Sequence, residues 1–472
     1  MDKQLLDIIY QQNPWLKFHK NGSLGISVVS AQKMQYSTDD VDINHNAIET
    51  RPTEVSGKTQ EFPKSHQNLI VSNESYIPRM QLNFLVKKDW NTLWTILIGP
   101  RQAGKTTIGK HLCQQLLNEQ AYQQLLYLNC DYHEIRRWLI SPSFLIEVGE
   151  TLALKNYILF IDEVQRLTNP GLLLKMIADL KLPIKMIASG SSQLEIKSKV
   201  QEHLTGRQLE ALILPLSCRE INFKQTYQTL LQYGSYPQVY LAEHKEIFLQ
   251  ELFNNYIRKD IIEFLQVGKP DVILQMLGLL AHSAGQLLNF QQLATDCRVN
   301  VETIHNYIGI FEKTYVIKLI RPFIGNKRTE LTSNPICYFL DNGFRNQSLN
   351  NFAPIDNRTD NGLLVESLVF QEIYKFYTQE RKNWQIHYWR TKSGAEVDFV
   401  LKIDFDTVIP IEVKYRNVSR LSLTRGYRSF LDAYQPKIGF IITKNQGGEL
   451  IYNQSKIHFI PLCDLAMLFE YI

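Results

Sequence analysis

The sequence predicts an α/β protein: a doubly wound parallel sheet, then a winged-helix-like module, then a smaller second α/β domain. Three observations predict it. Between about residues 92 and 190, short apolar runs ending in glycine or an acid alternate with helix-length segments, as in strands buried on both faces and joined by crossover helices. Residues 290–321 read as helix, short break at Val299 and Asn300, helix and β-branched strand. After residue 332, a helix at about 363–377 precedes a pair of strand-like runs whose polar residues alternate with apolar ones.

Length and composition bound the rest. A chain of 472 residues exceeds one ordinary core, so two to three domains are expected. With 44% hydrophobic and 21% charged residues, global disorder is excluded. The formal charge of +4 excludes polyanion binding by the chain as a whole, leaving only local basic patches. Cys113, Cys130, Cys218, Cys297, Cys337 and Cys463 lie far apart with no CxxC pair, against a zinc site or disulfide framework and for a reducing compartment. Residues 1–15 lack a signal-peptide core and no run of about 18 apolar residues occurs, so no membrane partner and a cytoplasmic location are expected.

In chain order, residues 1–19 form an amphipathic segment with Leu5, Ile8 and Ile9 at helical spacing. Residues 20–74 are polar without a period and read as a linker or arm. Residues 75–223 carry the first α/β domain, with strands at "TLWTILIG", "LLYLNCD", "YILFIDE" and "IKMIASG". Residues 224–330 are helical and winged-helix-like, and residues 331–472 form the second α/β domain.

The strongest motif is "GPRQAGKT", residues 99–106, which satisfies G-x-x-x-x-G-K-T between an apolar strand and an amphipathic helix. Gly99, Pro100, Arg101, Gln102, Ala103, Gly104, Lys105, Thr106 and Thr107 are therefore the expected nucleotide-binding loop, whose N–H groups and helix N-terminus face phosphate oxygens. Lys105 is expected on the β- and γ-phosphates and the Thr106 hydroxyl on Mg²⁺. "YILFIDE" delivers Asp162 to the sheet edge, where it would hold Mg²⁺ through water, and Glu163 to polarise the attacking water. Ser189, at the end of the next strand, carries a hydroxyl suited to sensing the γ-phosphate or to capping a helix.

Together "GPRQAGKTT", "ILFIDEVQRL", "IASGSS", "TGRQLEALILPLSCREI" and "YGSYPQVYL" resemble the prokaryotic AAA-type P-loop ATPases that carry a conserved C-terminal domain of unknown function. The resemblance runs from about Tyr76 to the C-terminus. It implies an ATP-binding, Mg²⁺-dependent ATPase, with Arg207 of "TGR" as an arginine finger acting in cis or on a neighbour, the alternative being a surface ion pair. Assembly into oligomers is implied by analogy alone.

The second motif lies near the other end. On a strand, side chains two apart share a face, so in "AEVDFVLKI" Val397, Phe399 and Leu401 are expected on one side and Glu396 and Asp398 on the other. In "VIPIEVKY", Ile411 and Val413 oppose Glu412 and Lys414 in the same way. The intervening "DFDT" has turn chemistry, and a hairpin there brings Asp398 abreast of Glu412. Carboxylates so gathered suit Mg²⁺ or Mn²⁺, with Lys414 beside them to act on a water. This D-spacer-E-x-K arrangement resembles that of PD-(D/E)XK nucleases, a resemblance that implies Glu366, on "GLLVESLVF", as a further metal ligand. E-x-K is equally the pattern of a solvated, salt-bridged strand face.

From 414 to 428 the chain carries five positive charges and no acid, and "YWRTK" sets Trp389 beside Arg390, features that suit a DNA or RNA backbone. The second helix of the winged-helix-like module offers His305 and Asn306 but no arginine, which speaks against groove reading and for a spacer or protein contact. Two functions stay open on sequence: ATP-gated action on nucleic acid, or an ATP-controlled interaction switch with an inactive nuclease-like domain and a protein partner.

Overall fold

The computed structural model describes residues 3–14, 16, 76–87, 93–190, 208–263, 270–323, 334–417 and 420–472. The expected arm at 20–74 and Arg207 lie outside the described residues.

The first sheet contains β1 (Trp94–Ile98), β2 (Gln124–Asn129), β3 (Tyr157–Asp162), β4 (Ile184–Gly190) and β5 (Gln208–Leu212) in the order β2-β3-β4-β1-β5, with every neighbouring pair parallel. β2 and β3 carry continuous apolar runs, residues 125–128 and 157–161, because both faces are covered, while β4 includes Lys185 and the edge strand β5 alternates. Leu159 and Ile161 of β3 enter one core with Leu126 and Leu128, while Ile158 and Phe160 enter the other with Ile108 and Leu112 of the helix Lys105–Asn118. After β1 the chain crosses to the far edge and returns, so the loop following β1 lies at a switch in strand order, where open α/β sheets bind ligands. The N-terminal helix Lys3–Gln12 packs Leu5 and Ile9 into the first of these cores.

Next come the helices Phe223–Tyr233, Pro237–Leu241, Lys245–Asn255 and Pro270–His282, followed by Phe290–Asp296 and Val301–Lys313. The last two are capped by asparagines: Asn289 Oδ1 accepts from the Gln291 and Gln292 amides, and Asn300 Oδ1 from that of Thr303.

The second sheet has eight strands: β6 (Ile317–Pro322), β7 (Ile336–Phe339), β8 (Gln385–Arg390), β9 (Glu396–Lys402), β10 (Val408–Lys414), β11 (Ile438–Thr443), β12 (Gly448–Tyr452) and β13 (Ser455–Pro461). Their order is β12-β13-β11-β10-β9-β8-β6-β7. β6 pairs with β7 and β8, so a boundary drawn at residue 330 falls between two strands of one sheet. The long helix Asn361–Gln379 packs Leu364, Val365 and Leu368 on one face with Phe399 and Ile411, while the helix Arg425–Tyr434 packs Tyr427 and Phe430 on the other with Val400 and Ile441.

The expected hairpin is present: β9 and β10 are antiparallel with Ile411 opposite Phe399, which brings Glu412 level with Asp398. The expected alternation along β9 is corrected. Its pairing with β8 shifts register between His387 and Trp389, so Val397 packs with Trp389 and Tyr427, apart from Phe399 and Leu401. A bulge admits an extra residue and turns the following side chains onto the opposite face.

Candidate functional site

Gly104 caps the helix Lys105–Asn118 at φ 96°, and Gly99 has φ 145° with its Cα packed so closely that an added Cβ would lie 2.0 Å from the Ile213 carbonyl oxygen. Glycine at both positions lets the loop fold flat over β1. The loop borders a cavity of about 670 Å³ into which Arg101, Gln102, Gly104, Lys105, Thr106 and Thr107 face. Gly99, Pro100 and Ala103 do not line it. Their carbonyls are engaged beneath the loop: the Lys105 ammonium donates to Gly99 O at 3.0 Å and Pro100 O at 2.8 Å, and Ala103 O accepts from Arg79 at 2.8 Å.

Glu163 borders the same cavity at φ 56° and accepts from the Gln165 amide. A left-handed glutamate is a sparsely populated conformation, of the kind that clusters at functional sites. Behind it Asp162 is buried, with Oδ2 accepting from the Tyr127 hydroxyl at 2.8 Å and Oδ1 from the Ser189 hydroxyl. Ser189 also accepts the Glu163 amide at 3.3 Å and is fully buried, so its hydroxyl ties Asp162 to Glu163 and does not reach the cavity. Burial, and then the neighbouring Asp162 charge, push the Tyr127 phenol up, keeping it a donor.

Two of these supports carried no signal in the sequence. Arg79, 5% exposed, bonds the Leu214 carbonyl at 2.5 Å and the Glu220 carboxylate at 3.1 Å as well as Ala103, pinning the loop from below. Tyr127 is one apolar residue of a strand until its neighbours are known.

Asp398, Glu412 and Lys414 of the second sheet and Glu366 of the long helix lie within electrostatic reach of one another. Burial and the Asp398 charge push the Glu366 carboxyl up to about 8, while burial and Glu412 push Asp398 up to about 7. Burial also raises Glu412, opposed by Lys414 at 2.6 Å and the Thr424 hydroxyl at 3.1 Å. For Lys414, burial works against the charge, but Glu412 and Asp398 outweigh it and the pKa rises. Asp398 Oδ2 takes the Val413 amide at 2.7 Å, and Glu366 accepts from the buried Tyr338 hydroxyl at 2.5 Å. Among the described residues, no group of three or more His, Cys, Asp or Glu side chains is gathered closely enough to hold a metal ion as it stands.

Arg416, Arg420, Arg425 and Arg428 are exposed. Trp389 is corrected as a stacking residue: it is 7% exposed and packs edge-on against Phe430 at 5.3 Å, inside the core. His305 stacks on Phe290 at 4.4 Å within its own module.

The two regions meet through the long helix Asn361–Gln379. Glu372 accepts the Cys218 amide at 2.6 Å, and the Lys375 ammonium bonds Glu372 at 2.8 Å, Leu216 O at 2.8 Å and Ser235 at 3.0 Å, all buried. Leu216 borders the cavity beside the 99–107 loop, and Glu366 stands on the long helix toward its other end.

Comparison with known proteins matches three stretches of the chain. Residues 91–222 match the family described as AAA domain, residues 224–354 the domain of unknown function DUF8612, and residues 361–465 the domain of unknown function DUF4143. The chain is 24% identical over 398 residues to the uncharacterized protein MJ1544 of Methanocaldococcus jannaschii, spanning 78% of this chain and 86% of that protein. It is 23% identical over 376 residues to an uncharacterized protein of Haemophilus influenzae, spanning 73% and 87%. Among solved structures, the replication initiator DnaA bound to AMPPCP and single-stranded DNA matches at TM-score 0.26 and 14% identity, over 52% of this chain and 90% of that one. C. elegans PCH-2 matches at TM-score 0.24 and 16% identity, over 49% of this chain and 66% of that one. The loop at residues 99–107 and all five strands of the first sheet lie within the stretch that matches the AAA domain. Among the described residues, no helix is long and apolar enough to cross a membrane.

Proposed function

We propose that the protein is a magnesium-dependent ATPase whose nucleotide state acts on a nuclease-like, nucleic-acid-directed C-terminal domain. The observation that carries the ATPase reading is the convergence of Lys105, Thr106 and Glu163 on one cavity of about 670 Å³, with Asp162 fixed behind them. The loop amides and the helix N-terminus bind phosphate. Lys105 exchanges its bonds to the Gly99 and Pro100 carbonyls for phosphate oxygens. Thr106 and Asp162 would hold Mg²⁺, which when bound neutralises charge on the β- and γ-oxygens. Glu163 orients and polarises the attacking water, and Arg207 remains the proposed finger.

In the second domain Glu366, Asp398 and Glu412 are the proposed Mg²⁺ or Mn²⁺ ligands. Three buried carboxylates, each raised first by burial, with Asp398 adding to Glu366 and Glu412 to Asp398, form a donor set that a divalent cation would relieve. Lys414 would orient the water, and the exposed arginines would neutralise backbone phosphates. The winged-helix-like module would join the two domains. The long helix gives gating a physical route, since it holds Leu216 at the nucleotide cavity and carries Glu366 at the acidic cluster.

A second reading, an ATP-controlled interaction switch with a protein partner, draws on a specific observation. The acids already have internal partners in Lys414, Thr424 and the Val413 amide, and no three of them stand at ligating distance. ATP turnover with Mg²⁺, measured with and without duplex DNA, single-stranded DNA and RNA, decides between them beside Glu163→Gln and Glu412→Ala. Stimulation by one nucleic acid, with cleavage lost in Glu412→Ala, supports the first reading. Turnover indifferent to all three, without cleavage, supports the switch.

A further inference from the structure

We propose that Tyr127 is a positioning residue for the nucleotide site, and that through it the N-terminal helix Lys3–Gln12 is tied to that site; this rests on the ATPase reading above. Each oxygen of the Asp162 carboxylate is held by a hydroxyl from a different flanking strand, Tyr127 of β2 on Oδ2 at 2.8 Å and Ser189 of β4 on Oδ1. A carboxylate oxygen has about two acceptor sites, so one hydroxyl on each fixes the rotation of the group and leaves lone pairs for a metal-bound water. With the tyrosine hydroxyl removed, a nearly fully buried oxygen loses its partner and the carboxylate gains freedom to turn.

Tyr127 is itself held on every side. Its ring meets Phe160 edge-on at 5.3 Å, and the Lys110 ammonium lies over it at 4.9 Å. Lys110 borders the nucleotide cavity. The backbone of Tyr127 is held from the N-terminal segment: its amide donates to Asn13 Oδ1 at 2.7 Å, and its carbonyl accepts from Asn13 Nδ2 at 2.8 Å. Two residues on, the Asn129 amide donates to Gln12 Oε1 at 2.9 Å. β2 is the edge of its sheet, and Asn13, fully buried, supplies there the pair of bonds that a further strand would supply. Leu5, Ile9 and Leu16 anchor the segment in the core that holds Leu126 and Leu128. The match to the AAA domain begins at residue 91, so this support comes from chain outside the matched domain.

The test uses the full chain and reads magnesium linkage as well as turnover. Calorimetry gives ATP affinity in EDTA and in Mg²⁺ for wild type, Tyr127→Phe and Asn13→Ala. In Tyr127→Phe, affinity in EDTA is expected to stay within about twofold of wild type, while the tightening produced by Mg²⁺ falls about tenfold, as for a lost hydrogen bond to a charged group. The Mg²⁺ concentration for half-maximal turnover should rise by a similar factor. Asn13→Ala should move the same quantities in the same direction by less. A purely structural role would weaken both affinities together, and that result overturns the inference, as does wild-type magnesium linkage in Tyr127→Phe. Unchanged linkage in Asn13→Ala overturns the part assigned to the N-terminal helix. A wild-type protein that binds Mg²⁺ and ATP together without turnover defeats the ATPase reading but leaves Tyr127 tested by linkage. One that shows no magnesium linkage overturns both.

Discussion

Replacing Lys375 with methionine tests whether the two domains share one polar core. Lys375 is 1% exposed and its ammonium makes three bonds, to Glu372, Leu216 O and Ser235. Methionine fills the volume of the stem but leaves Glu372, also 1% exposed, as a buried carboxylate that keeps the Cys218 amide and loses its cation. Removing one member of a buried ion pair costs about 3–5 kcal/mol, whereas replacing both by neutral groups of similar size is close to neutral. Against a domain stability of about 5–15 kcal/mol, the single change is a large loss. Lys375→Met is therefore expected to lower the urea midpoint clearly, and Lys375→Met with Glu372→Gln to recover about half of the loss or more. The assay is urea unfolding followed by tryptophan fluorescence, with the two single variants and the double closing a cycle. ATP affinity, measured in parallel, should fall in Lys375→Met because Leu216 borders the cavity. A coupling energy near zero would refute the buried pair. A destabilised variant with wild-type ATP affinity would refute the link from this helix to the nucleotide site.

Lys105→Ala removes the one ammonium that rises from the phosphate loop into contact with its carbonyls, and calorimetry should find ATP binding weakened by at least about a hundredfold; unchanged affinity or turnover rejects the nucleotide assignment. The carboxyls of Glu366 and Asp398 rise from ordinary values of 4.5 and 3.8 to about 8 and about 7, so between those limits the folded state binds more protons than the unfolded chain. Stability should accordingly be greatest below pH 4 as far as these groups decide it, and decline as pH rises to 8. Asp398→Asn removes one of the interacting charges and should flatten that decline, read as urea midpoints at pH 5 and pH 8; an unaltered slope would contradict the coupling. At pH 8, millimolar Mn²⁺ should raise the wild-type midpoint and leave Asp398→Asn unmoved, whereas equal behaviour of the two favours the interaction switch.

What the sequence made legible is what a short stretch specifies by itself. The phosphate loop needs glycine at 99 and 104 and a helix directly after it, and all three conditions lie within residues 99–105. The central runs of β2 and β3 are apolar because both faces are covered, and the turn residues of "DFDT" fix the β9–β10 register. The bulge that moves Val397 away from Phe399 follows from pairing with β8, which a reading of β9 alone does not contain. Trp389 beside Arg390 looks the same in sequence whether its ring meets solvent or, as here, Phe430. Arg79, Asn13 and Tyr127 act on partners 24 to 141 residues away, and none belongs to a local pattern. The long helix makes the point most sharply. Gln371, Glu372, Lys375 and Gln379 interrupt its apolar residues as a solvent-facing stripe would, yet all four are buried. Periodicity reports that one face of a helix is polar, and leaves open whether water or the polar backbone of another domain lies against it. Here the carbonyl of Leu216 and the amide of Cys218 lie there, and each is met by a side chain of matching charge. A stripe that would be worth little on the surface thereby becomes the contact through which the nucleotide cavity and the acidic cluster share a single rigid element.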